Sequence, residues 1–178
     1  MYRVGNSKRS VKNADTFVDS LLKCLQVKDI DDITITELCN HSGLSRNTFY
    51  RIFDVVADVL VYASDRLSEK YIKMYDNVEN GKWGPFIDSY LHYLVENSVL
   101  LEAIYKCNRQ DILENSMLRL KSMKFPEMSE TPRLEYINGV TCAASISILV
   151  TWIRRGKKET PSELYKIFRE AFANKFKD

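Results

Sequence analysis

Residues 33 to 53 read Ile33-Thr34-Ile35-Thr36-Glu37-Leu38-Cys39-Asn40-His41-Ser42-Gly43-Leu44-Ser45-Arg46-Asn47-Thr48-Phe49-Tyr50-Arg51-Ile52-Phe53. Thr34 stands three residues before Glu37, the spacing at which a hydroxyl and a carboxylate satisfy orphan N–H groups at a helix start. Gly43 interrupts that helix, and Ser45 is a good N-cap for a second short one. The order is therefore helix, glycine-containing turn, helix. Leu38 and Leu44 supply buried contacts, whereas Arg46, Asn47, Thr48 and Arg51 leave the second helix dense in hydrogen-bond donors. Such a helix can enter a DNA major groove with its first residues toward base edges. A helical hairpin made only for packing has the same outline.

Outward from this stretch, apolar residues recur at helical spacing and strict alternation is scarce, which predicts an all-α fold of about nine helices. Phe17, Leu21, Leu22 and Leu25 form the stripe of a first helix from about Lys8 to Val27, ended by the acidic turn Asp29 to Asp32. Asp54 can cap a long fourth helix whose stripe is Val56, Leu60, Ala63, Leu67, Tyr71 and Met74, running to about Val78. Helices follow over Phe86 to Glu96, Ser98 to Lys106, Asp111 to Met123 and about Arg133 to Arg155. Thr160, Pro161 and Glu163 then supply an N-cap, a proline at the first helical position and a capping-box partner for a final helix to about Phe176.

The chain of 178 residues is 45% hydrophobic and 11% aromatic, enough to bury a sizeable core. A net charge of +2 does not announce a nucleic-acid partner. The local distribution says more: Arg3, Lys8, Arg9 and Lys12 occur in the first twelve residues without an acid, which reads as a flexible basic arm before the first helix. Cys24, Cys39, Cys107 and Cys142 lie far apart, suggesting neither a disulfide framework nor a zinc site. Cys39 and His41 are two residues apart on a short helix and point to different faces, and His92 is remote. No metal, no cofactor and no enzyme are expected, because a phosphate loop, a nucleophile elbow and a paired-carboxylate signature are all lacking. The uncharged stretch Asn138 to Ile153, with its Thr and Ser residues, falls short of a membrane span, so a cytoplasmic protein without a membrane partner is expected.

The stretch Gly43-Leu44-Ser45-Arg46-Asn47-Thr48-Phe49-Tyr50-Arg51-Ile52-Phe53 resembles the recognition region of the TetR family of bacterial transcriptional regulators, and the resemblance extends over about residues 10 to 60. A fainter echo is Trp152-Ile153-Arg154-Arg155-Gly156-Lys157-Lys158-Glu159-Thr160-Pro161, similar to the junction of the last two helices in many members. The resemblance implies a DNA-binding domain over residues 1–56 and a helical regulatory and dimerisation domain over 57–178. It implies that Arg46 and Asn47 face bases, that Thr34, Thr48 and Tyr50 touch phosphates, and that Arg51 does either. With Ser45, Lys8 and Arg9 these make up the expected interface with double-stranded operator DNA. The chain departs from the family where a lysine usually follows in the fourth helix: Asp54-Val55-Val56-Ala57 carries none.

The same resemblance implies a homodimer and a repressor released by an effector. Gly139, Ala143 and Ser147 recur every four residues and offer a flat ridge for a second helix. Leu164, Ile167, Phe168, Ala171 and Phe176 on the final helix are the other candidate dimer residues. Tyr71, Met74, Tyr90, Tyr93, Tyr105 and Met117 are candidates to line a pocket for a small apolar or aromatic effector, although helical spacing equally makes them core. A helical interaction module or co-regulator responding to a protein partner is the alternative.

Overall fold

The Ser7 hydroxyl accepts from the Ser10 N–H at 3.1 Å and opens α1 (Lys8–Cys24). In the computed structural model, which describes residues 1–75, 83–125 and 131–173, the chain continues through a single 3-10 turn (Ile30–Asp32). It then forms α2 (Ile35–Ser42), α3 (Arg46–Ile52), α4 (Ala57–Tyr75), α5 (Trp83–Glu96) and α6 (Ser98–Lys106). α7 (Gln110–Lys124), α8 (Pro132–Arg154) and α9 (Pro161–Ala173) complete an all-helical fold, with no strand among the described residues. The expected ends of the fourth and final helices, at Val78 and Phe176, lie outside the described residues.

Phe17 of α1 meets Phe49 of α3 edge to face at 5.3 Å and Phe53 at 6.0 Å, and Tyr62 of α4 meets Phe53 at 5.9 Å. With Leu21, Leu38 and Ile52 these rings form the buried centre on which α2 and α3 rest. α4 packs against α1 on one side and α7 on the other, linking this centre to the rest of the bundle.

Three local expectations change. The basic arm is not free: the Arg3 N–H donates to the Ile52 carbonyl at 2.6 Å, and the Tyr2 hydroxyl donates to Asp65 at 2.8 Å. Lys8 and Arg9 are exposed residues of the first turn of α1 rather than of a tail. Asp54 does not cap α4. The Asp58 carboxylate reaches back to accept from the N–H groups of Asp54 (2.9 Å) and Val55 (3.2 Å), while Arg3 engages Asp54. At α2, finally, only half of the capping box forms. Thr34 Oγ1 accepts from the Glu37 N–H at 3.1 Å, but the Glu37 carboxylate turns to Lys28 Nζ at 2.8 Å. At α9 both halves form, with Glu163 Oε2 accepting from the Thr160 N–H at 2.7 Å and Thr160 Oγ1 from the Glu163 N–H at 3.3 Å.

α8 has 23 residues, longer than the uncharged run within it, and by length and hydropathy alone it could cross a membrane. Only 33% of its most apolar window is buried, so it turns an apolar side outward from the fold.

Candidate nucleic-acid interface

α3 is seven residues long, too short to persist alone. It is held by its ends and one face. Ser45 Oγ accepts from the Thr48 N–H at 3.2 Å and lies 3.0 Å from the Thr48 hydroxyl, closing the start. Gly43 ends α2 at φ +68°, a left-handed conformation that a side chain would oppose, and so sets the angle between the two helices. Phe49 and Ile52, three residues apart, are buried in the aromatic centre.

The opposite side of α3 is thereby committed to solvent. Arg46, Asn47, Tyr50 and Arg51 are exposed and Thr48 is half-buried. Tyr50 is braced by an edge-to-face contact with Phe49 at 5.7 Å, which leaves its ring 46% exposed. The helix carries two arginines and no acid, so its outer face offers cationic and amide donors together. Thr34, exposed at the start of α2, and Ser45 both spend their hydroxyl acceptor on helix caps, which holds their oxygens in place.

Arg3 was expected in the basic arm, but its docking place was not legible in the sequence. Arg3 brings a guanidinium to the junction of α3 and α4, donating to Asp54 Oδ1 at 2.5 Å and to the Tyr50 carbonyl at 3.4 Å. This neutralises the only acid between Glu37 and Asp58 and holds its carboxyl below the ordinary aspartate range. Since Arg3 is anchored at the end of α3, the five-residue link to Lys8 can span at most roughly 18 Å. Lys8 and Arg9, exposed in the first turn of α1, lie beyond that link.

The other predicted residues separate into groups. On α8, Gly139 is half-buried and Ala143 and Ser147 are exposed, beside Tyr136, Ile137 and Val140 at 79%, 48% and 56% exposure. On α9, Ile167 and Ala171 are exposed. Leu164 and Phe168 are instead buried against the inner bundle, because they lie on the side of α9 that packs on α5 and α8. They cannot offer surface to a second subunit, and Phe176 lies outside the described residues. Trp152 is buried and its Nε1 donates to the Glu159 carbonyl at 2.8 Å, fixing the turn from α8 to α9.

Among the effector candidates, Tyr71, Tyr90, Tyr93 and Met117 are core. Tyr71 sits within 5.4 Å, ring to ring, of Tyr75, Phe86, Tyr90 and Tyr93, and donates to the Phe86 carbonyl at 2.7 Å. The Tyr90 hydroxyl lies 2.7 Å from Ser68, which is 2.9 Å from Ser116, so a polar seam joins α4, α5 and α7. Burial pushes the Tyr90 hydroxyl up, keeping it neutral. Met74 is exposed at 63% and Tyr105 is half-buried, so the six do not line one space.

Residues 81–174 match a family profile described as the C-terminal region of TetR-type transcriptional regulators, over half of the chain. No curated protein matches the sequence. Among solved structures, the fold is similar to Lin0861 from Listeria innocua, with 18% identity, TM-score 0.77, and 95% of this chain and 93% of that one covered. It is similar to the dihydroxyacetone kinase operon activator DhaS, with 16% identity, TM-score 0.60 and coverages of 90% and 94%. A tetR-family transcriptional regulator from Streptomyces coelicolor aligns with 17% identity, TM-score 0.55 and coverages of 92% and 79%.

Proposed function

The chain belongs to the TetR family of transcriptional regulators and is a DNA-binding regulator of transcription, and from that premise we propose how it engages its operator. α3 enters the major groove, with Arg46 and Asn47 reading base edges. Thr34, Ser45, Thr48 and Tyr50 meet phosphates, Arg51 does either, and Lys8 and Arg9 add backbone attraction. The observation that carries this reading is the division of α3: Phe49 and Ile52 are buried, and every long donor side chain faces water. A helix packed on one side and donor-rich on the other is built to present those donors to something.

Residues 1–56 form the DNA-binding unit and residues 57–178 the regulatory and dimerising unit. One α3 makes too few base contacts for selectivity, so two copies related by a two-fold axis bind a near-palindromic operator. The exposed stripe of Tyr136, Val140, Ala143 and Ser147 on α8, with Gly139 beside it and Ile167 and Ala171 on α9, is the self-complementary surface. Binding represses transcription in the cytoplasm and is released or modulated by an effector, a small apolar or aromatic molecule or a partner protein.

The test is fluorescence anisotropy with DNA from upstream of the protein's own gene, scanned for an inverted repeat. Saturable binding of a dimer to one such repeat, tighter by at least about a thousandfold than to scrambled DNA, supports the reading. Equal affinity for all sequences overturns it.

A further inference from the structure

α1 ends at Cys24, and α2 carries Glu37 and His41 four residues apart, so these two side chains rise from one face of α2. The packing of α1 on α2 brings Cys24 to that face. The Cys24 sulfur, a Glu37 oxygen and a His41 ring nitrogen all lie within 4.8 Å of one another. Cys24 is buried, Glu37 half-buried and His41 exposed, so the three donors run from the core to solvent. A cation is already drawn there: Lys28, in the turn after α1, places Nζ 2.8 Å from Glu37 Oε1.

We propose that Cys24, Glu37 and His41 form a site for a divalent cation of the zinc type, with a fourth position open to solvent. The donor set decides the class of ion. One sulfur, one imidazole nitrogen and one carboxylate oxygen suit a borderline ion such as zinc or cobalt, whereas magnesium and calcium ask for oxygen alone. Bonds of about 2.0–2.3 Å to a central ion require the three donors to close up slightly. Glu37 and His41 supply that movement from the solvent side, while Cys24 is held in the core. On binding, the thiol proton passes to solvent, the sulfur donates to the metal, and Lys28 leaves the carboxylate. The ion then ties the last turn of α1 to α2, the support on which α3 stands. None of the three ligands belongs to the proposed DNA contact, so the site and the operator reading stand or fall separately.

The experiment uses the full chain, metal-free and kept reduced with a phosphine, titrated with cobalt chloride and followed by absorption. One equivalent per chain is expected, with a thiolate-to-cobalt charge-transfer band and the visible bands of a tetrahedral site, both removed by added zinc chloride. Cys24→Ser removes the charge-transfer band. His41→Gln and Glu37→Gln each weaken uptake by at least ~10-fold, the lower bound for losing a partner merely behind a ligand. Lys28→Met strengthens it. Because Cys24 is buried, His41→Gln at an exposed position is the variant that decides whether a loss of uptake reflects the ligand rather than the fold, with far-ultraviolet circular dichroism as the check. No saturable cobalt spectrum in the parent chain, or uptake unchanged in His41→Gln or Glu37→Gln, overturns the proposal.

Discussion

Ala143 stands exposed on α8, between the exposed Val140 and Ser147. In an isolated protomer, Ala143→Arg places its guanidinium in water and touches nothing buried, so folding of the protomer should change by no more than about 0.5 kcal/mol. In a two-fold dimer built on this stripe the same change buries two unpaired charges, one from each subunit. An uncompensated buried ion costs several kcal/mol. Taking about 3 kcal/mol for each, the pair costs about 6 kcal/mol, which at 1.4 kcal/mol per decade is roughly four orders of magnitude in dimer dissociation. A nanomolar dimer would become a monomer at micromolar concentration. Sedimentation equilibrium across that range measures the shift, circular dichroism verifies the helices, and operator binding should fall with dimerisation. A variant that remains dimeric with an unchanged dissociation constant refutes the placement of the interface on this face of α8.

Replacing Lys8 and Arg9 together with alanine should weaken binding to all DNA sequences about equally and reduce the salt slope by at most about 2, since each cation neutralises at most one phosphate. An unchanged slope would remove the first turn of α1 from the interface. Asp58→Ala leaves two N–H groups before α4 without their acceptor, and should cost about 1–2 kcal/mol in urea unfolding. A loss below 0.5 kcal/mol, roughly the scatter of surface changes, would mean that solvent caps α4 equally well. Asp54, held low first by its hydrogen bond from Arg3, keeps that attachment above the ordinary aspartate range and loses it as pH falls through its depressed value. Carbon-detected titration should place Asp54 below a solvated aspartate, and Arg3→Ala should return it upward. No movement in that variant would deny the pairing.

The helix order was legible because the signals are local: Thr160 and Glu163, three residues apart, satisfy each other's N–H groups at the start of α9. The short helix α3 was legible for the same reason, since Ser45 and Gly43 act within three residues. What was not legible depends on residues far apart in sequence. Glu37 forgoes its capping role because Lys28 is brought within 2.8 Å, and Asp54 forgoes its own because Arg3 docks there from 51 residues away. Basic composition near the start predicted an arm, but Tyr2 and Arg3 find specific partners in Asp65, Ile52 and Asp54, and a segment with such partners does not stay loose. On α9 the apolar residues are all candidates for either side. Only packing on α5 and α8 distinguishes the inward Leu164 and Phe168 from the outward Ile167. The cluster of Cys24 with Glu37 and His41 left half a trace, the four-residue spacing on α2, and its third member comes from another helix.

The most direct test of α3 as the base-reading element is the affinity of Arg46→Ala and Asn47→Ala for a set of operators, each with one base pair changed, compared with the parent protein. Both side chains are exposed and carry no structural partner role in the caps of α3, so the fold should be unaffected. The expected result is a loss of roughly 1–3 kcal/mol of discrimination at particular base positions, different for the two variants, with binding to non-specific DNA retained. If both variants instead reproduce the parent's preference at every position, bases are read by some other part of the molecule.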